Sequence, residues 1–341
     1  MEGIPSFFRS HPSFSMAPEP EICGLSMQLA LRLMIELQGH RQLLGPDGIE
    51  DDEVARSLGL GEWLEADTYD RRHLQQQLRR IARRVAGVGC KPDYPEPLGA
   101  NLKALAQMLG LNSTDFQVLG LCALAHTDSL LSRCVRLFGG IDNRRFISTL
   151  ALLLQLPPRD IQMALCKEAA LFSSGLLEVD YSPGNALLCH RLSFSNSDLL
   201  DQLCFHHGAA EELFRHSFRV SEPGLLSVVN YPHLEQEIGI ALRFLRKSQA
   251  QSRVGVNVLI YGPPGTGKTE LCRLLASELG SELYEIAVSD RDGDPIPGYK
   301  RLSALRSAMR VLRGSQALVL LDEIEDIFHE YGDSSRRLYK S

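Results

Sequence analysis

"VNVLIYGPPGTGKTELCRLLASELG", residues Val256 to Gly280, is the stretch on which the reading of this chain turns. It opens with an apolar run, Val256 to Tyr261, suited to a buried parallel strand. A loop follows: Gly262, Pro263, Pro264, Gly265, Thr266, Gly267, Lys268. A helix is predicted from Lys268–Thr269, with Leu271, Leu274, Leu275 and Leu279 turned toward the sheet. Between strand and helix the residues spell G-x-x-x-x-G-K-[ST].

That pattern has a physical reason. Gly265 and Gly267 let the backbone curl until successive N–H groups point inward as an anion nest. The start of the helix adds a favourable dipole. Lys268 can reach the β and γ phosphates of a nucleotide, and the Thr269 hydroxyl can ligate Mg²⁺. We take Gly262 through Glu270 as the candidate nucleotide-binding residues. A plain Gly/Pro-rich turn is the alternative, and eight matching residues between a strand and a helix argue against it.

About 50 residues downstream, "SQALVLLDEIEDIF" (Ser315–Phe328) supplies a second apolar strand, Ala317 to Leu321, ending in Asp322-Glu323. Ligands of open α/β sheets lie outside the carboxyl ends of the strands, so these acids belong beside the phosphate loop. Asp322 is the candidate Mg²⁺ residue with Thr269. Glu323 is the candidate general base that polarises the attacking water, and Lys268 its cationic counterpart. Glu325 and Asp326 read as the start of the next helix.

Composition sets the outer limits. A chain of 341 residues has room for about two domains. Its 44% hydrophobic and 23% charged content is that of a globular protein with a real core. A net charge of −6 does not point to nucleic acid or an anionic membrane. Eight cysteines without a CxxC pair suggest reduced thiols, and the expected compartment is cytoplasmic. No apolar run approaches the ~18 residues of a membrane helix.

Upstream, residues 1–20 are Pro/Ser-rich and read as a mobile tail. Residues 21–87 read as helical: "ICGLSMQLALRLMIELQGH" places Leu25, Leu29, Arg32, Leu33 and Glu36 at helical spacing, stopping at Gly39. Leu74, Leu78, Ile81 and Val85 form a further stripe. "GVGCKPDYPEPLGAN" (Gly87–Asn101) reads as a linker. Residues 101–220 read as a second helical unit, with "STDF" supplying an N-cap, followed by helix, Pro turn, helix and a hairpin around "YSPGN". That layout is partly winged-helix-like. Its second helix offers Arg159, Gln162 and Lys167 beside Asp160 and Glu168, a poor reader of DNA, so packing or partner contact is the preferred role. Cys189-His190 and Cys204 with His206-His207 lack close metal-ligand spacing and read as ordinary residues. "YPHLEQEIGIALRFLRKSQ" puts Leu234, Ile238, Ala241, Leu242 and Leu245 on one face of a connector helix into the last unit, 225–341.

"GPPGTGKT" together with "LVLLDEIEDIF" closely resembles the AAA+ ATPases, over about residues 225 to 330. The upstream region resembles, more loosely, the amino-terminal part of large bacterial AAA-family ATPases. The resemblance implies a P-loop α/β domain with ATP and Mg²⁺ as its cofactors. It implies phosphate contacts from Gly265, Thr266, Gly267 and Lys268, Mg²⁺ at Thr269 and Asp322, and Glu323 as general base. It also implies a second strand (Leu283–Val288), a loop, and a helix from about Arg301. In substrate-threading members that loop carries an aromatic residue into a pore; Tyr299 is the candidate, with a surface tyrosine the alternative. Copies of the chain in a hexameric ring and a protein client are the implied partners, nucleic acid and membrane are not, and ATP-driven protein remodelling is the implied activity. A nucleotide-binding module without turnover and a DNA-directed motor are the rivals.

The family pattern continues after the acids with a sensor strand, an arginine finger and a helical lid. Residues 324–341 match none of these, and Arg336 and Arg337 come too early for the finger. The expectation is therefore an α/β domain incomplete at its C-terminus, the front part of a longer ATPase with impaired turnover. In the family the missing strand lies between the loop-bearing and acid-bearing strands, so both are expected to expose edges.

Overall fold

The computed structural model describes residues 24–65, 70–87, 93–290, 293–325 and 327. The expected tail at 1–20 and Arg336–Arg337 lie outside the described residues, as does Asp326. Helices α1 (Gly24–Ile35), α2 (His40–Leu43), α3 (Asp52–Ser57), α4 (Arg71–Gly87), α5 (Leu98–Leu109), α6 (Ser113–Thr127) and α7 (Ser129–Phe138) come first. A short strand β1 (Ile141–Asp142) precedes α8 (Asn143–Leu154), α9 (Pro158–Ala164) and α10 (Ala170–Ser173). Strands β2 (Leu177–Val179), β3 (Asn185–Ala186) and β4 (Leu192–Phe194) follow, with the helical turn α11 (Leu188–Arg191) before β4, and then α12 (Ser197–Phe205). The last part comprises β5 (Phe218–Val220), α13 (Glu235–Ala250), α14 (Lys268–Leu279), β6 (Leu283–Ile286), α15 (Gly298–Val311) and β7 (Leu318–Leu320).

Local chemistry starts these helices. Asp51 accepts from the amides of Glu53 and Val54 ahead of α3, and Asp128 accepts from Leu131 ahead of α7. The cap of α6 is Asn112, one residue before the expected "STDF": Asn112 and Asp115 exchange side-chain bonds with each other's backbone amides. Asn fits because its carbonyl reaches the third amide while its own backbone stays extended. The helix after the expected linker begins at Leu98, so the linker is shorter than Gly87–Asn101.

The hairpin around "YSPGN" is more elaborate than expected. β2 pairs antiparallel with β4, and inside their connection β3 pairs with β1. Arg191 organises this segment. Fully buried, it donates to the carbonyls of Ile141 (3.0 Å), Asp180 (2.7 Å), Ser182 (3.0 Å) and Gly184, and to Oδ1 of Asn143 (2.9 Å). Five acceptors spread over this segment are thereby gathered on one guanidinium.

The sheet that carries the acids has the order β5-β6-β7. β6 and β7 run parallel with Leu283 opposite Leu318, and β5 adds antiparallel with Phe218 opposite Ile286. The sheet thus reaches back across the expected boundary at residue 220. The second strand ends at Ile286 rather than Val288, and the third covers Leu318–Leu320 and is half-buried.

One expectation fails: Val256–Tyr261 is not a strand. It lacks ladder hydrogen bonds and is largely open to solvent, Leu259 at 72% and Tyr261 at 87% exposure. An extended segment becomes a strand only when a neighbour satisfies its backbone, and no described residue does so. β7 likewise pairs, among the described residues, with β6 alone.

Apolar packing falls into two bodies. The large one joins the N-terminal helices to β5, β6, α15 and β7. The small one contains Tyr231, Ile238 and Leu242 packed on Leu271, Leu274 and Leu275. The leucines of α14 therefore face α13, not the sheet as expected.

Candidate active site

Gly265 (φ +76°) and Gly267 (φ +80°) hold left-handed conformations that a side chain would strain. Gly267 sits at the start of α14, and no side chain caps that helix. Its first-turn amides are thus available to an anion, with the helix dipole behind them. Thr266 closes the loop by donating to the Pro263 carbonyl at 2.9 Å. The Lys268 ammonium lies against the same loop, 3.1 Å from the carbonyls of Gly262 and Pro263. Tyr231, buried against α14, donates to the Gly267 carbonyl at 3.2 Å.

The Thr269 hydroxyl donates to Oδ2 of Asp322 at 2.6 Å, while Oδ1 of Asp322 accepts from the Glu323 amide at 3.0 Å. The loop and the acids therefore share one site. A hydroxyl and a carboxylate in contact form an all-oxygen donor pair of the kind that suits a hard cation such as Mg²⁺, and uncapped helix amides suit phosphate. The residues present fit both groups. Glu323 is exposed and has φ +49°, a left-handed geometry uncommon for a residue with a Cβ.

Glu270 has a different role from the rest of the predicted set. Its carboxylate accepts from the Leu225 amide at 2.9 Å and pairs with Arg273 at 2.6 Å. Those two contacts hold it below the usual carboxylate range. Arg273 also reaches Glu285 on β6 at 2.9 Å, where Ser221 adds a hydrogen bond of 2.5 Å. Burial pushes the Glu285 carboxyl up, but Ser221 and Arg273 outweigh it and hold it below its ordinary value. This chain of bonds ties α14 to the sheet. Behind it, burial together with Asp322 and Glu285 pushes the Cys272 thiol up to about 11.

A cavity of about 290 Å³ opens at the carboxyl ends of β6 and β7, lined by Thr269, Asp322, Glu285 and Ser289 and by Arg215 and Arg219. Neither arginine was among the sequence candidates, because both precede the nucleotide-binding motifs and reach the site only through the pairing of β5. Arg301 was missed too: its guanidinium donates to the backbone carbonyls of Asp322 and Glu323. Tyr299, the pore candidate, lies in the first turn of α15 and is 47% exposed. It belongs to a helix rather than to a loop because α15 starts at Gly298, ahead of the expected Arg301.

Residues 258–340 match the family model described as "ATPase family associated with various cellular activities (AAA)". This segment belongs to the AAA family. The chain is similar to the ATP-dependent zinc metalloprotease FtsH 3 of Sphaerobacter thermophilus, 36% identical over 105 residues, which cover 29% of this chain and 21% of the relative. It is also similar to human Fidgetin-like protein 1, 31% identical over 116 residues (33% and 16%), and to the replication factor C large subunit of Methanococcus aeolicus, 36% identical over 70 residues (20% and 14%). The match thus spans about a fifth or less of each of these relatives. No solved structure matches the chain.

Proposed function

We propose that the AAA segment binds Mg·ATP in the loop Gly262–Thr269 and hydrolyses the γ-phosphate bond. The contact of Thr269 with Asp322 supports this reading best, because it joins the phosphate loop to the acids. In this reading the amides of Gly265 to Thr269 and the Lys268 ammonium bind the β and γ phosphates. Thr269 and Asp322 would hold Mg²⁺, which would neutralise phosphate charge. Glu323 takes the proton of the attacking water, and the cavity arginines line the approach. The proposed use of the energy is remodelling of a protein client by a ring of copies in the cytoplasm. One of the similar proteins, FtsH 3, carries metalloprotease in its name, which supports a protein client.

A second reading, nucleotide binding without turnover, draws support from the open segment Val256–Tyr261 that leads into the loop. Glu323→Gln and Lys268→Ala separate the two. Under the first reading Glu323→Gln lowers turnover about 10²- to 10⁴-fold and leaves nucleotide binding intact, while Lys268→Ala weakens binding. A parent rate already at background, unchanged in Glu323→Gln with binding retained, favours the second reading.

A further inference from the structure

The side chain of Arg301 is out of place for an ordinary arginine. The residue is 2% exposed, and it takes part in none of the ion pairs among the described residues. Its Nε is buried without a hydrogen-bond partner. Burying a cation this way is costly unless the contacts it makes are needed. Those contacts are two backbone carbonyls: Nη2 bonds the Asp322 carbonyl, and Nη1 bonds the Glu323 carbonyl at 3.2 Å. Both ends of the acid turn are thus held by one rigid, planar group.

The turn needs holding. A residue such as Glu323 in the left-handed region holds a strained backbone and stays there only when its surroundings oppose relaxation. Relaxation of that turn would swing the Glu323 carboxylate, and would pull on the Asp322 carboxylate that bonds Thr269.

Arg301 is itself anchored away from the phosphate loop. Farther along α15, Ser307 donates to the Ser174 carbonyl at 2.6 Å, and Arg310 donates to the Leu109 carbonyl at 3.2 Å. Gly175 lies so close beneath α15 that a Cβ there would come within 2.4 Å of the Ser303 carbonyl oxygen. The helix bearing Arg301 is therefore fixed to the N-terminal helical region.

We propose that Arg301 is a positioning residue for the Asp322–Glu323 turn, and that through α15 it references the acids to the N-terminal helical region. The proposal rests on the ATPase reading and extends it to the regulation of that same site: a shift of the helical region relative to α14 would be transmitted to the general base.

The test uses the full chain and four variants, Arg301→Met, Arg301→Lys, Ser307→Ala and Lys268→Ala, with ATP turnover, fluorescent ATP binding and thermal melting measured on each. Arg301→Met is expected to lower kcat about 10²-fold with KM within about threefold of the parent, the effect of a small misplacement of a reacting group. Arg301→Lys, able to satisfy one carbonyl, should recover part of the loss, and Ser307→Ala should lower kcat by a smaller factor at unchanged KM. Parental kcat in Arg301→Met overturns the proposal. So does a loss of nucleotide binding and melting temperature in step with kcat, the signature of a merely structural role. Should Arg301→Met fail to fold, Arg301→Lys decides: a kcat reduction at parental KM and melting temperature supports the proposal, and parental kcat overturns it. If the parent binds ATP without turnover, the Mg²⁺ concentration needed for half-maximal binding is the readout. It should rise several-fold in the Arg301 variants, and no change overturns the proposal. A parent that neither binds nor hydrolyses ATP, matched by Lys268→Ala, removes the ATPase reading and this proposal together, a pattern distinct from all the others.

Discussion

The hydroxyl of Thr269, at the head of α14, rests 2.6 Å from the carboxylate of Asp322, just past the end of β7. Fifty-three positions of sequence separate them, and this contact joins the two halves of the site. Thr269→Ala removes one oxygen of the proposed Mg²⁺ pair and leaves Asp322 without its hydroxyl partner. Turnover in Thr269→Ala should need a higher Mg²⁺ concentration, with kcat down by at least about tenfold. A titration of ATPase rate against Mg²⁺ that superimposes on the parent would refute the pairing.

Glu285 gives the acid limb of stability. Its carboxyl is below the ordinary value in the folded chain, so its contribution is fully present above the unfolded value near 4.5 and is lost as pH falls through the folded value. Glu285→Gln should cost about 1.5 kcal/mol at pH 7, the scale of a hydrogen bond to a charged group. The gap between parent and variant in urea unfolding should narrow as the pH is taken well below 4.5. An equal gap at pH 7 and pH 3 contradicts this.

Removing the guanidinium of Arg191 leaves the carbonyls of Ile141, Asp180, Ser182 and Gly184 without it. Arg191→Met should destabilise the chain by about 3–5 kcal/mol, the scale of losing several hydrogen bonds to a charged group. Arg191→Lys should recover little, since one ammonium cannot span five acceptors. Urea denaturation of both variants checks the order, and a loss below about 1 kcal/mol in Arg191→Met would show the bonds to be dispensable.

Cys272 reports on the site from behind. With its thiol pushed up to about 11, iodoacetamide at pH 8 should modify the exposed Cys166 well before Cys272. The rate at Cys272 should climb steeply as the pH approaches 11. Peptide mapping by mass spectrometry distinguishes the two thiols, and equal rates at pH 8 would contradict the burial described here.

The local chemistry of the site was readable from the residues because each part announces itself at short range. Gly265 and Gly267 occur where left-handed backbone is needed, Thr269 follows Lys268 on the helix, and Asp322-Glu323 ends an apolar run. What escaped depends on distant partners. Whether Val256–Tyr261 becomes a strand is decided by a neighbour that supplies hydrogen bonds, and its composition carries no information about that neighbour. The leucines of α14 show an apolar face, but not that α13 covers it. Arg301 reads as one more basic residue on an amphipathic helix until α15 is packed against the acid turn. Arg191 was equally silent, since an arginine bonded mainly to carbonyls has no signature in spacing.

The division of the apolar interior into two bodies places the loop helix in one and the acid strand in the other. Heat should not disrupt them together: the lesser body, built on few side chains, ought to exchange its amide protons sooner. A triphosphate that touches both would act as a weld, lifting protection on each side of the seam at once and by the same increment of free energy.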